Sequence, residues 1–356
     1  MKAVVLCAGL GTRLRPLTLR WPKPALPLLG QPLLRYGLAA LARAGVTGVG
    51  INTHHLPEAM EGVGRAECAR LGLSFTAVHE PVIQGTGGGI RSLRRWVEGE
   101  PFIVLNGDVL FAADLSPLVE AHLASKAAAT LVLMPMPAGE AYASVELDAG
   151  HRVRRIAGHG PGGEALTPWH FTGVHLMTPA VFDFMAADAP LDINRQVYPR
   201  MLEKGLFMRG AIVDPRGVYW SDLGTPDRYA ATHRDLLFRQ VAADAFGSSS
   251  PFEAAGRGAG NFWAHPTAEL VGAKVAGPAL FAEGCVLGQG VHVGAAVSVG
   301  RGARVGARAR LNRVAVLDGG QVGEGEELED CLVGNGASGE RWVVPTRPPG
   351  GGPPSS

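Results

Sequence analysis

The chain has 356 residues, 46% of them hydrophobic, and carries 33 Lys and Arg against 32 Asp and Glu. A chain of that length can bury more than one core, and a formal net charge of +1 excludes any global pull toward nucleic acid or a membrane surface, so neither is expected as a partner. The four cysteines, Cys7, Cys68, Cys285 and Cys331, lie far apart without metal-ligand spacing, which points to reduced thiols in a cytoplasmic protein and not to a zinc site. The apolar run from Ala3 to Leu10 is too short for an ordinary signal peptide or a membrane span.

Within that run Ala3-Val4-Val5-Leu6 reads as a buried first strand, and AGLGTRLRPLTLRWPKPALP follows over 8–27. Arg13, Arg15, Arg20 and Lys23 crowd this stretch, while no acidic residue precedes Glu58. Cations without counter-charges are suited to an anion supplied from outside, and a phosphate-rich ligand is expected. Gly9 and Gly11 can take left-handed angles and turn backbone N–H groups toward phosphate oxygens, although Gly-x-Gly alone equally fits a tight strand-to-helix turn. The dinucleotide fingerprint is excluded because Leu14 stands where its third glycine belongs, and the Walker sequence is absent. Lys23 between Pro22 and Pro24 sits on a stiffened backbone that fixes one long cation in place.

Downstream, the pattern predicts a helix over 32–44, a strand over 46–52, a helix over 57–70 and a strand over 73–78. This βαβ rhythm implies a Rossmann-like α/β domain, with a mainly parallel sheet flanked by helices and ligands bound beyond the carboxyl ends of its strands. A glycine cluster, Gln84-Gly85-Thr86-Gly87-Gly88-Gly89-Ile90, is expected between a strand and a helix, where its backbone can approach a flat ligand or merely form a turn. The strand over 101–105 ends in Asn106-Gly107-Asp108. A carboxylate at the same sheet edge as a phosphate loop calls for a divalent cation between them, while an isolated Asp after a strand is also an ordinary turn residue or cap.

Extended segments follow at 130–134, 143–147 and 171–176, with an irregular glycine-rich excursion over 158–163. Asp222 closes a later extended run, and Thr225-Pro226 reads as the cap and first turn of a helix reaching about residue 245. A Ser/Gly/Ala-rich linker is expected over 247–261. Beyond it Val275, Phe281, Leu287, Val293, Val299, Val305, Leu311 and Leu317 recur every six residues, which marks a solenoid of parallel strands over 262–343. The Pro/Gly/Ser-rich end, 344–356, is expected to be disordered, which leaves 1–246 as a separate N-terminal domain. Exposed coil edges predict a homo-oligomer.

Gly9-x-Gly11-Thr12-Arg13-Leu14 followed by Pro22-Lys23-Pro24 resembles the signature of the sugar-1-phosphate nucleotidyltransferases. The resemblance extends to the second glycine cluster, to Asp108 and to Trp220-Ser221-Asp222-Leu223-Gly224-Thr225. It implies that 1–246 is the catalytic domain, with a nucleoside triphosphate and a sugar 1-phosphate as substrates and Mg2+ held by Asp108 and Asp222. Arg13 and Lys23 would neutralise the triphosphate; Ala8, Gly9, Gly11, Thr12, Gln84, Gly85, Thr86 and Gly87 would line the nucleotide; and Tyr142, Ala143 and Gly173 would line the sugar. It also supplies the left hand expected of the β-helix.

One departure concerns the sugar: no Glu-Lys-Pro follows Val153, which leaves His159, Arg152, Arg154 or Arg155 as substitutes or as plain surface groups. His54-His55-Leu56 and Trp169-His170-Phe171-Thr172-Gly173 resemble the branch holding mannose-1-phosphate guanylyltransferases and muramic acid phosphate uridylyltransferases, and the solenoid favours the guanylyl enzymes. The alternatives are a uridylyltransferase for another sugar, a non-catalytic sugar-nucleotide sensor, and an acyltransferase using His292 or His265.

Overall fold

A computed structural model of the chain describes residues 1–137, 139–186, 190–239, 241, 250–256 and 261–348. Contacts divide it into two compact units, one of Met1–Leu10, Pro22–Pro24 and Leu34–Trp220, the other of Gly11–Trp21, Ala25–Leu33 and Ser221–Ser356. The division does not follow the chain at 246, because two N-terminal segments group with the solenoid.

The first unit is built on a nine-stranded mixed sheet among the described residues. Strand Lys2–Leu6 lies parallel between Gly48–Thr53 and Phe102–Asn106, and its Ala3, Val4 and Val5 are fully buried, as a strand covered on both faces requires. Ser74–His79 extends the parallel part beyond Gly48–Thr53, while Thr167–Met177 runs antiparallel to Phe102–Asn106 on the other side. Because the chain steps from Lys2–Leu6 first to one neighbour and later to the other, the carboxyl ends at Leu6, Asn52 and Asn106 flank a topological switch point. Helices Leu33–Arg43 and Pro57–Arg70 match the periodicity closely. The core gathers Val4, Val104, Leu131, Leu133 and Met177, with Phe102 stacked on Phe182 at 5.5 Å.

In the second unit, paired strands lie eighteen residues apart in sequence, as in Ala279 opposite Val297, Val286 opposite Arg304 and His292 opposite Arg310. Eighteen residues make three hexapeptides, so each coil is one turn of a three-faced parallel β-helix. Phe281, Leu287, Val293, Val299, Val305 and Leu311 all enter its core, as the period predicts. The corner glycines allow the coils to stack: a Cβ on Gly288 would stand 2.7 Å from Ala307 N in the next coil. The period then slips. Val299 pairs with Val316 and not Leu317, because the strand Arg310–Val316 turns its corner through Arg313 at φ 53 and the coil loses one residue.

The remaining segments of this unit, Gly11–Trp21, Ala25–Leu33 and the helix after Ser221, make contacts with those coils. Helix Pro226–Leu237 starts as read from Thr225, whose hydroxyl accepts from Arg228 N, but it ends at Leu237 and not near 245, with Arg239 turned left-handed at φ 57. His233 Nδ1 lies 3.0 Å from Ser298 Oγ on a coil, Arg347 bridges to Asp227 at 3.1 Å, and Tyr229 Oη donates to the Pro27 carbonyl. Gly30, at φ 72, puts the tip of the Pro27–Leu28/Gln31–Pro32 hairpin so close to Ala282 that a Cβ there would come within 2.7 Å. Of the expected linker, 250–256 and 261 are described and include the turn of helix Pro251–Ala254; the rest lies outside the described residues. Strand Arg341–Pro345 pairs antiparallel with Glu327–Asn335, reaching into the expected tail, of which 349–356 lie outside the described residues.

Candidate active site

Two polar residues, Asn52 and Glu80, mark strand ends near the switch point. Asn52 Oδ1 accepts from Cys7 N at 2.8 Å, and Asn52 Nδ2 donates to Glu80 Oε1 at 2.9 Å. Glu80 Oε2 in turn accepts from Gln84 N at 2.9 Å, and its backbone carbonyl lies 2.8 Å from His54 Nδ1. A buried carboxylate and amide thus tie Cys7, at the start of the loop after the first strand, to the start of the glycine-rich helix. Neither residue was read from sequence, although Asn52 lies at the carboxyl end of its strand and Glu80 directly follows one, positions like the one that singled out Asp108.

The glycine cluster departs from the expected loop. Helix Gly85–Ser92 begins within it, with Gly85 at φ 73. Gly87 N donates to Leu191 O at 2.7 Å, Leu191 N to Gln84 O at 2.7 Å, and Ile193 N to Thr86 Oγ1 at 3.0 Å. These glycines therefore admit the 191–193 segment against the helix, and a Cβ on Gly85 would meet Leu191 O at 2.7 Å. Gln84 directs its Nε2 to Val82 O at 2.8 Å.

Lys23 is 8% exposed at its side chain, and its Nζ lies 2.8 Å from Oδ2 of Asp108, which is 46% exposed. Asp108 follows Gly107, whose N–H donates to Leu6 O at 2.9 Å and where a Cβ would meet that oxygen at 2.8 Å. The chain crosses the strand end here without room for a side chain. Burial, and then the Asp108 charge, push the Cys7 thiol far up, so it stays protonated and is no nucleophile. Ala8 is buried, whereas Gly9 is exposed and a Cβ on it would meet nothing within 4 Å among the described residues.

Of the sugar candidates, Tyr142 packs against His170 at 4.4 Å and against Trp220 at 5.6 Å, and Trp220 Nε1 donates to Thr172 O at 2.9 Å beside Gly173. Gly173, at φ 85, lies against Asn106, where a Cβ would fall 2.9 Å from its Nδ2. Ala143 is exposed. The proposed substitutes for the missing Glu-Lys are engaged otherwise: Arg155 pairs with Glu146 at 2.9 Å, Arg154 Nε donates to Gly162 O, and Arg152 Nη2 donates to Gly205 O. His159 exchanges backbone hydrogen bonds with Ile156, and its side chain is exposed.

In the second unit, Gly11 sits at φ 61 ahead of the turn Thr12–Leu14, and its carbonyl accepts from Leu14 N and from Thr18 Oγ1, each at 2.9 Å. Thr12 and Arg13 are exposed. Asp222 receives Arg228 Nη1 at 2.5 Å on Oδ2 and Gly224 N at 3.3 Å on Oδ1. A Cβ at Gly224 would lie 3.2 Å from Arg13 Nη2 and 3.4 Å from Asp222 Oδ2, so the guanidinium and the carboxylate share the surface of one glycine. Arg228 had escaped the sequence reading. A cation in the first turn of a helix opposes the helix dipole, and that position is the signal of a counter-charge nearby.

Among the described residues no three His, Cys, Asp or Glu side chains cluster as a self-sufficient metal site. Asp108 and Asp222 each offer hard oxygen donors, which suits Mg2+, an ion commonly bound through one or two carboxylates with substrate phosphates and water completing its shell.

The nucleotidyl transferase family model matches residues 2–238. The mannose-1-phosphate guanylyltransferase of Mycobacterium tuberculosis is 35% identical over 66% of this chain and 64% of its own length. The UTP--glucose-1-phosphate uridylyltransferase of a Synechocystis species is 28% identical, and again the chain spans 64% of its length. The catalytic subunit beta of mannose-1-phosphate guanylyltransferase from Danio rerio is 31% identical over 96% of this chain and 88% of its own. Among solved structures, a candidate glucose-1-phosphate thymidylyltransferase of Bacillus anthracis shares the fold, with a TM-score of 0.58 and 22% identity over 69% of this chain and 98% of that one. With its switch-point loop, its two ion-paired aspartates and a family match over most of its length, the chain belongs to the nucleotidyl transferase family.

Proposed function

We propose that the chain transfers a nucleoside monophosphate from a nucleoside triphosphate to a sugar 1-phosphate, releasing pyrophosphate, with guanosine triphosphate and mannose 1-phosphate as substrates. The supporting observation is a buried lysine beside a half-exposed aspartate at the strand ends, Lys23 against Asp108 at 2.8 Å, in a chain of this family. The two mannose-1-phosphate guanylyltransferases, one similar along nearly the whole chain, favour the guanylyl reading; the 28% identity to a uridylyltransferase keeps uridine triphosphate with glucose 1-phosphate as the alternative.

An oxygen of the sugar phosphate attacks the α-phosphorus, and the bond to the pyrophosphate oxygen breaks. The attacking group is already an anion, so the chain supplies position and charge and no nucleophile of its own. Ala8, Gly9, Gly11 and Thr12 cradle the triphosphate, and the open space at Gly9 leaves room for it. Lys23 and Arg13 stabilise charge on the α-phosphate and the departing pyrophosphate. Gln84, Gly85, Thr86 and Gly87 face the base, and Tyr142, Ala143 and Gly173 the sugar. Asp108 and Asp222 would hold Mg2+, which would supply neutralisation of phosphate charge. Retention of all four charged groups argues against the sensor alternative. His265 is engaged with Thr267 at 2.8 Å in a local turn, which leaves acyl transfer without support there.

No helix among the described residues is long and apolar enough to cross a membrane, and four buried free thiols support a cytoplasmic setting. A homo-oligomer assembled at least partly through the β-helix belongs to the same reading, resting on the edges that a stack of coils presents. The test is pyrophosphate release over a panel of nucleoside triphosphates crossed with sugar 1-phosphates, with Mg2+ present. The guanosine triphosphate and mannose 1-phosphate pair should give the highest kcat/KM; silence in every pairing would leave the sensor standing.

A further inference from the structure

Arg20 was grouped above with the phosphate-seeking cations, but its side chain is engaged elsewhere. Its Nη1 donates to the backbone carbonyl of Asn335 on the β-helix at 3.3 Å, and its guanidinium stacks over Trp21 at 4.4 Å. Its Nη2 lies against Gly319, 3.5 Å from where a Cβ would stand, and Asn335 Nδ2 donates to the Gly319 carbonyl at 2.9 Å. The neighbouring Asp318 is buried enough for its carboxyl to be pushed upward, against the opposing pull of Arg301 and Arg20. The β-helix therefore presents the Asn335 carbonyl and a nearby acid to this one arginine.

Arg20 closes the single helical turn Leu17–Arg20, and that turn carries Thr18, whose hydroxyl donates to the Gly11 carbonyl at 2.9 Å. Gly11 C=O and Thr12 N–H belong to one planar trans peptide and point in opposite directions. Two donors fixing the carbonyl, Thr18 Oγ1 and Leu14 N, therefore fix where the Thr12 N–H is aimed. A side chain two residues beyond Thr18, anchored on the solenoid, thus sets the orientation of a backbone donor beside Arg13.

We infer that Arg20 is a positioning residue that couples the β-helix to the triphosphate loop, so that the coil at 318–335 holds the Gly11–Arg13 donors ready before nucleotide arrives. This inference rests on the function proposed above and adds the solenoid to its site. An anchor of this kind lowers the ordering cost of binding and leaves the chemical step alone.

The experiment uses full-length Arg20→Met and Arg20→Lys proteins beside the unmodified chain. It reads equilibrium binding of guanosine and uridine triphosphates with Mg2+, the KM and kcat of pyrophosphate release, and hydrogen exchange at the 11–20 amides. Arg20→Met should weaken triphosphate binding and raise its KM about tenfold while kcat changes by less than about twofold, with faster exchange confined to 11–20. Arg20→Lys, which can still reach a carbonyl, should recover most of the loss. Unchanged binding and exchange in Arg20→Met, or faster exchange throughout the chain, would overturn the positioning role while leaving the proposed function intact. If the unmodified chain binds neither triphosphate, the proposed function is wrong and the positioning role falls with it.

Discussion

Lys23 and Asp108 neutralise each other across 2.8 Å, although one was read as a phosphate cation and the other as a metal ligand. Triphosphate offers the lysine a richer anion and Mg2+ offers the aspartate a stronger cation, so both can exchange partners on substrate binding. Lys23→Met keeps the aliphatic length and loses the charge; kcat/KM should fall roughly 30- to 1000-fold, equivalent to about 2–4 kcal/mol of transition-state stabilisation. Steady-state pyrophosphate release checks this, and a change below about threefold would reduce Lys23 to a structural partner of Asp108.

Asp108→Asn removes one carboxylate charge at nearly constant volume. Because the side chain is half exposed, the melting temperature should hold while turnover collapses, and chelation of Mg2+ should abolish the activity of the unmodified chain. Normal turnover in Asp108→Asn removes that residue from the metal site.

Arg228 holds Asp222 by an ion pair in which the two side chains are only 28% and 18% exposed. A cation so placed competes with a metal for the same oxygens. Arg228→Met should therefore lower the Mg2+ concentration needed for half-maximal activity by a few fold, even as the less well-held carboxylate lowers kcat. An unchanged or increased Mg2+ requirement would show that the arginine does not compete.

Three buried histidines set an acid limit on stability. Burial lowers His122 to about 4, and His175 and His233 to about 3, with Arg234 adding to the effect on His233. The unfolded chain takes up protons on these groups from about pH 6.5 downward while the folded chain does not. Stability is thus fully present above about pH 6.5 and declines as pH falls toward the folded values, by up to about 1.4 kcal/mol per pH unit per histidine. Unfolding midpoints measured from pH 7.5 to 5 should be flat at first and then fall; a midpoint constant down to pH 5 would contradict the assignment.

Much of the fold was legible because it rests on local periodicity. The helix over 57–70 follows from Pro57 as a helix-opening residue, and the coil positions from Val275 to Leu311 from apolar spacing. The one-residue slip that puts Val316 where Leu317 was expected depends on how Arg313 turns a corner, which no spacing records. At the candidate site, charge without counter-charge pointed to the loop, and strand-end position to Asp108. Glu80, Asn52 and Arg228 stayed hidden because their roles lie in partners far along the chain or across a turn. The glycine run Gly85–Gly89 was legible as a need for close approach, but the approaching group in this structure is the backbone at Leu191, 106 positions after Gly85 in the numbering.

The Arg20 anchor also bears on the order in which the protein can be made. Its acceptor, Asn335, is synthesised 315 residues later, so the Gly11–Trp21 segment must wait through nearly the entire chain before its own unit can close. At ribosomal speeds of roughly 5–20 residues per second, that wait is on the order of 15–60 s. During it the sheet around Lys2–Leu6 has all its strands in hand, whereas the cationic loop emerging from it does not yet have its anchor. The loop is therefore translated long before the partner that fixes it, and a nascent chain stalled before the last coils would carry its arginines on an unanchored tether.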